Sequence, residues 1–531
     1  MAPIPHPSET YELLPRRSSD YTQASDTDVG HFAAPAKRSI QLRLVFRSWV
    51  RHCFATFRGK HSRLGSQIRR RRNRTICCVF PLLACCIVAL VVFTFLFLPS
   101  YTYPPQHYKA LQRLCLESSR LGRGNVNNEK VFIAAALYDP GGKLVDGDWG
   151  NAILRLVELL GPANVYLSVY ENDADPSANE ALEKFKGRLS CNSSIVSEHL
   201  PLEDIGRVII PTGDERIKRI AFLAEVRNRA LRPLQTNPTV AYDRLLYIND
   251  VMFNPIDAIH LLFSTNIDAS GRAQYGAVCA VDFINAFKFY DRFATRDFEG
   301  YEMGVPFFPW FTDAGDGISR QDVLNQKDAV RVRACWGGMT AFEAKWFMET
   351  IQESTGTSSK PTAAFSVSPL RFRYEEDPFW DASECCLIHA DLTYLRHGRN
   401  ATSDSGIFTN PYVRVAYDSR TLRWLPLTRR FERLYSIVHN ILNHQVGLPK
   451  LNVRRLEQPG EEVIEKVWTW DKKTQTHEGG ARPDLEGSYH DIKRVARPGR
   501  FCGGRALLVM NDDPKPGERK WTGVPIPAFP E

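Results

Sequence analysis

The chain has 531 residues, with 68 Lys/Arg against 60 Asp/Glu for a formal net charge of +8, 43% hydrophobic residues and 12 cysteines. Residues 1–75 hold 15 Lys/Arg and 5 Asp/Glu, a balance of +10, which leaves the rest of the chain at −2. The positive excess is therefore a property of the tail, which excludes a basic folded face for nucleic acid and suits an anionic membrane leaflet.

Residues 1–75, rich in Ser, Pro and Thr, read as a disordered cytosolic tail. Residues 76–98, "ICCVFPLLACCIVALVVFTFLFL", are 23 residues without a charge, enough at a helical rise of 1.5 Å to cross a hydrocarbon core of about 30 Å. The run starts too far into the chain for a cleaved signal peptide. Arg69-Arg70-Arg71-Arg72 precede it, so the positive-inside rule leaves the bulk of the chain across the membrane. Seven cysteines (Cys115, Cys191, Cys279, Cys335, Cys385, Cys386, Cys502) then face an oxidising lumen. Some are expected to pair, and the odd count leaves at least one over. With no CxxC, structural zinc is not expected. Two sequons, at Asn192 and Asn400, fall on the lumenal side.

Residues 99–128 read as a stem, 129–450 as the main domain and 451–531 as a loop-rich extension. Residues 131–137, "VFIAAAL", have the pattern of a buried strand; Trp149, Ile153, Val157 and Leu160 then mark one face of a helix that stops at Gly161-Pro162. A strand over 165–169, a helix over 177–189, a short strand near Ile195, a helix over 214–231 and a strand through "RLLYI" follow. Strands alternating with helices predict an α/β fold with a parallel sheet. Trp468 and Trp470 read as one face of an edge strand.

Ligands of such sheets gather at the carboxyl ends of strands, where Glu171 and the Asn249-Asp250 pair fall. An acid there is placed for a metal, a ribose hydroxyl or a proton, and serves equally as a cap for the next turn. Arg216, Arg219 and Arg227, on the preceding predicted helix, are placed to clamp a pyrophosphate or to form a solvated basic face.

The ordered blocks "VFIAAALYD", "NVYLSVYEND", "RIAFLAEVRNRALRPL", "LLYINDVMF", "CAVDF", "FYDRFATRDFEG", "ACWGGMTAF" and "SECCLIHADL" resemble the fungal α-1,3-mannosyltransferases of the cryptococcal capsule-associated type, glycosyltransferase family 69, over residues 129–420. The resemblance implies a single-pass type II Golgi membrane protein with a GT-A-like lumenal domain. It further implies transfer of mannose from GDP-mannose to a mannose-containing glycan acceptor, with retention. Within that frame Asp250 is the expected ligand of Mn²⁺ or Mg²⁺, with His389 as a further ligand or else a hydrogen-bonded core histidine. The usual Asp-x-Asp of GT-A enzymes here reads Ile248-Asn249-Asp250. Glu171, Arg216, Arg219, Arg227 and Asn249 are assigned to the donor. Trp336, Gly337 and Gly338, with Asp282 and Asp297, are assigned to the acceptor. Glu384, then Asp391, are the candidate catalytic acids, either as nucleophile or beside a front-face attack.

Other chemistries lack their motifs. "DPGGKL" has neither the spaced Gly nor the Ser/Thr of a phosphate loop, and HExxH and GxSxG are absent. An inactive relative serving as a scaffold of a glycan-building complex, or a transferase using another sugar nucleotide, remain as alternatives.

Overall fold

The computed structural model describes residues 67–236, 240–307, 310–348, 365, 367–398, 405–450, 452–471, 486–511 and 520–530, with side chains from residue 81 onward. Most of the expected tail and the sequon at Asn400 lie outside these residues. The described residues divide into two compact units, one ending at Pro99 and the other beginning at Ser100. In the first, Gln67–Phe97 form a 31-residue helix with Pro81 inside it, and Leu82, Val88, Phe93 and Phe97 are exposed. Among the described residues no helix is long and apolar enough to cross a membrane; the expected span begins at residue 76, ahead of the described side chains.

The second unit is built on a ten-stranded sheet. Its first strands are β1 (Val131–Leu137), β2 (Val165–Asn172) and β3 (Asn192–Glu198). A small hairpin follows, β4 (Arg207–Ile209) with β5 (Glu215–Ile217). The main sheet resumes with β6 (Arg244–Ile248), β7 (Ala277–Asn285), β8 (Lys288–Phe289), β9 (Arg296–Asp297), β10 (Val330–Ala334), β11 (Met339–Glu343) and β12 (Ile407–Ala416). The spatial order is β3-β2-β1-β6-β11-β7-β12-β10-β9, with β8 on β7. β3, β2, β1 and β6 run parallel, and β11 is inserted antiparallel between β6 and β7.

Both faces of the sheet are covered, which is why its strands read as unbroken apolar runs rather than as alternation. Successive residues of β1 enter different cores. Phe132 and Ala134 join Phe222, Leu231 and Tyr247 on one side. Val131, Ile133 and Ala135 join Trp149, Ile153, Ile248 and Ile259 on the other, as the two-residue strand period requires. The helix Asp148–Leu160 buries the predicted face and ends where Gly161 takes φ 88° before Pro162. β2 and the helix Pro176–Arg188 also form as expected.

Three expectations are corrected. Residues 99–128 are not a free stem: Tyr101, Tyr108 and Cys115 are buried, and Tyr101 packs edge-on against Tyr412 of β12 at 4.8 Å. The expected helix over 214–231 is instead strand β5 followed by the helix Arg219–Thr236. Arg216 therefore lies on the hairpin, beside Asp214 at 3.6 Å, and off the helix face. The extension carries two further hairpins, β13 (Glu462–Trp470) with β14 (Gly487–Val495), and β15 (Leu508–Met510) with β16 (Trp521–Gly523). Trp468 and Trp470 of β13 pack on Phe379 in a small core of their own.

Two disulfides form, Cys279–Cys335 and Cys386–Cys502. Cys115, Cys191 and Cys385 stay free, in keeping with the odd count.

Candidate active site

At the carboxyl end of β6 the chain is held on both sides of Asp250. The Asn249 amide donates to the Gly338 carbonyl at 2.9 Å, and Met252 exchanges two backbone hydrogen bonds with Ala416 at the end of β12. Asp250 is thus bracketed between the Gly337-Gly338 turn and Tyr417. That turn needs glycine. Gly337 has φ 58°, and a Cβ on it would stand 1.9 Å from the Ala280 carbonyl oxygen.

Arg227 crosses to this point from the helix Arg219–Thr236. Its Nη1 donates to Asn249 Oδ1 at 3.0 Å and its Nε to Glu384 Oε1 at 2.9 Å. The guanidinium lies 4.6 Å from the centre of the Trp336 ring, whose Nε1 donates to the same Asn249 oxygen at 3.2 Å. Burial alone would weaken its hold on the proton, but Cys385, Glu384 and Tyr247 around it reverse the effect and raise its pKa. Asn249 is therefore a hydrogen-bonding hub: a carboxylate there would add a second buried negative charge beside Glu384.

A second carboxylate pair faces the turn. Asp282 on β7 accepts from the Tyr417 hydroxyl at 3.0 Å and from the Asp291 amide at 3.1 Å. Asp291 accepts from the Gly337 amide at 3.3 Å and the Ala294 amide at 3.1 Å. Burial, and then the Asp291 charge, push the Asp282 carboxyl up; Asp291 is raised by burial and further by Glu384. Tyr417 is raised by burial and by the charges of Asp282, Asp250 and Asp291. Asp250, Asp282, Asp291 and Glu384 thus form one electrostatic neighbourhood. Asp291 is the half-buried member, in contrast to the buried Asp282. In the sequence it is a lone acid in "FYDRF" with no pattern around it. Lys288 and Arg292 flank it, and burial with the charge of Arg292 lowers the Lys288 pKa.

Glu171, next to last in β2, lies at the same end of the sheet, two strands from Asp250 and so about 10 Å across the sheet. Its Oε1 accepts from the Asp139 amide at 3.0 Å, and its Oε2 is buried without a hydrogen-bond partner. Burial raises its pKa to about 7.

The remaining expected site residues are engaged elsewhere. His389 lies in the core: its Nδ1 faces the Cys385 carbonyl at 2.6 Å and its Nε2 the Cys279 sulfur at 3.8 Å, and burial lowers its pKa to about 4. It is thereby turned to the Cys279–Cys335 disulfide in place of a metal. Asp391 receives two hydrogen bonds from Arg373, at 2.7 and 3.0 Å, and is a structural ion pair. Asp297 caps the turn after β9 through the amides of Glu299 and Tyr301. Arg219 lies over Trp521 at 5.9 Å. Trp336 is buried, which rules it out as an open platform for a sugar ring.

Among the described residues, the only group of three side chains close enough to chelate an ion is Cys279, Cys335 and His389. Its sulfurs are already joined, so it holds no metal. The acid neighbourhood does fit a hard cation in its chemistry, since carboxyl oxygens suit Mg²⁺ or Mn²⁺.

The family model described as Cryptococcal mannosyltransferase 1 matches residues 130–391. This domain belongs to that family. It runs from the residue before β1 to Asp391, and so contains every acid of the neighbourhood and Arg227. The chain is a glycosyltransferase, and its mannosyltransferase domain is a mixed α/β fold around a mostly parallel sheet. Among solved structures the chain is similar to the mannosyltransferase PcManGT from Pyrobaculum calidifontis in complex with GDP-Man and Mn2+. That match is 10% identical, covers 70% of this chain and 88% of that one, and has a TM-score of 0.30, too low to carry an argument. No curated protein matches the chain.

Proposed function

We propose that the enzyme transfers mannose from GDP-mannose to a mannose-containing glycan acceptor, in α-1,3 linkage with retention, on the lumenal side of the Golgi membrane. The observation that carries this reading is the gathering of Asp250, Asp282, Asp291 and Glu384 around the Gly337 turn, inside a mannosyltransferase domain. The sheet order, with one strand inserted antiparallel beside β6, supports a GT-A-like architecture. Two disulfides support an oxidising compartment. The uncharged run over residues 76–98 supports a single-pass anchor with the tail in the cytosol.

Glu171, with a buried oxygen left unpaired, binds the base or ribose of the donor. Arg227 is committed to Glu384 and Asn249, so Lys288 and Arg292 beside Asp291 face the diphosphate in its place. A divalent cation would be held by Asp250 and would supply charge neutralisation of the departing diphosphate. In a front-face transfer the bond from C1 to the diphosphate oxygen breaks as the acceptor oxygen bonds C1 on the same face. The acceptor's proton passes to the departing phosphate oxygen. The Asp291 carboxylate steadies the positive charge that builds at C1.

The test uses the full chain in detergent micelles with GDP-mannose and an α-mannobiose, with and without Mn²⁺. Mannose transfer that Asp250→Ala abolishes is expected. Transfer from UDP-glucose or UDP-xylose in its place overturns the donor assignment, and undiminished transfer by Asp250→Ala overturns the site.

A further inference from the structure

The segment that follows Tyr417 forms two helices, Ser419–Thr428 and Glu432–Val446, joined by a turn at Arg429–Phe431. Large apolar side chains on them face outward: Trp424, Leu427, Ile437, Val438, Ile441 and Val446 are each between 40% and 55% exposed. On the first helix Arg420, Trp424 and Leu427 follow one another at four- and three-residue steps and so share a face.

The charge on this segment has one sign. Arg420 and Arg423 are exposed, and Arg430 and Arg433 half-buried. The sole acid between residues 419 and 450 is Glu432, buried against Arg414. Exposed Trp, Leu and Ile interleaved with Arg on helices is the composition of a surface that lies in a membrane interface.

The chain also says which surface this segment meets. The uncharged run ends at Leu98, and Tyr101 is already buried, its carbonyl accepting from Arg429 Nη1 at 2.9 Å. Three residues of extended chain reach at most about 11 Å. In a chain anchored through residues 76–98, Tyr101, to which Arg429 is bonded, follows the end of the run by three residues.

We infer that the helices Ser419–Thr428 and Glu432–Val446 form a membrane-docking surface, seating Trp424, Leu427, Ile437 and Ile441 among lipid headgroups with Arg420 and Arg423 on lipid phosphates. The inference rests on the anchored reading given above.

The experiment reconstitutes the full chain in phosphatidylcholine vesicles, with and without phosphatidylserine, some made with bromine-labelled acyl chains that quench tryptophan on contact. Co-flotation after alkaline washing reports the anchor. Comparison of the parent with Trp424→Phe reports the surface. The expected result is a lipid-quenched share of the emission that disappears in Trp424→Phe, and that shrinks in Arg420→Glu/Arg423→Glu. A floating chain whose quenching is the same with and without Trp424 overturns the docking surface and leaves the anchor standing, as a surface built for a second copy or a protein partner would do. A chain that fails to float overturns both.

Discussion

Arg227 Nε donates to Glu384 Oε1 at 2.9 Å while Nη1 of the same guanidinium donates to Asn249 Oδ1 at 3.0 Å, so one buried cation ties the end of β6 to the start of the helix Glu384–His397. Both groups are almost fully out of water. Removing the cation alone leaves a buried carboxylate uncompensated, a change that costs about 3–5 kcal/mol. Arg227→Met is expected to lower the melting temperature steeply and abolish transfer. Arg227→Lys is expected to fail as well, because an ammonium lacks the planar fork that spans both partners. Wild-type melting and turnover in the Lys variant would show that the double contact is dispensable.

Gly337→Ala tests the turn that presents Asp291. The added Cβ meets the Ala280 carbonyl at 1.9 Å from a positive φ, so backbone must move and the Gly337 amide leaves Asp291. Turnover is expected to fall at least about ten-fold, a loss of roughly 1.4 kcal/mol of transition-state stabilisation, with the Km for GDP-mannose affected less. Steady-state kinetics measure both.

Glu171 makes stability depend on pH in a known direction. Its folded pKa, raised by burial to about 7, lies above its ordinary 4.5, so between these values the folded chain holds a proton that the unfolded chain has released. Stability contributed by this group is complete below pH about 4.5 and is lost as pH rises toward 7, by up to roughly 3 kcal/mol. Glu171→Gln is expected to flatten the melting temperature across that window and to raise the Km for GDP-mannose. Unfolding scans at half-unit pH steps decide it.

Metal dependence separates His389 from Asp250. EDTA is expected to stop transfer, and Mn²⁺ to restore it with the same half-saturation in His389→Gln as in the parent, because this ring faces the Cys279–Cys335 disulfide. Asp250→Asn is expected to lose the response to Mn²⁺. A right-shifted Mn²⁺ titration for His389→Gln would restore the histidine as a ligand.

The disulfide Cys386–Cys502 fastens the C-terminal extension two residues past Glu384. Cys386→Ser with Cys502→Ser is expected to cost about 2–5 kcal/mol, read as the shift of the denaturant midpoint in a chain refolded under oxidising conditions.

Elements with a local cause are legible in the sequence alone. β1 spans the predicted residues 131–137, the helix Asp148–Leu160 stops at Gly161, and β6 ends just before Asn249-Asp250. Apolar periodicity and chain-breaking residues act over a few neighbours, and a sequence contains all of them. Of the site, Asp250, Asp282, Glu384, Arg227, Asn249 and Gly337 were named and do meet, but Arg227 and Trp336 meet as buried support. Nothing in the sequence around Asp291 and Tyr417 distinguishes them in one dimension.

Taken alone, then, the order of residues determined the family, the alternation of strands and helices, and the strand ends at which polar chemistry collects, since each depends on contiguous residues. Tertiary structure decided which acids share a field, which guanidinium is already spent on a partner, which cysteines join, and that residues 99–128 pack into the domain. Those outcomes depend on contacts between positions up to 328 residues apart, as between Arg429 and Tyr101, and charge, burial and hydrogen-bond satisfaction become defined only when such contacts form.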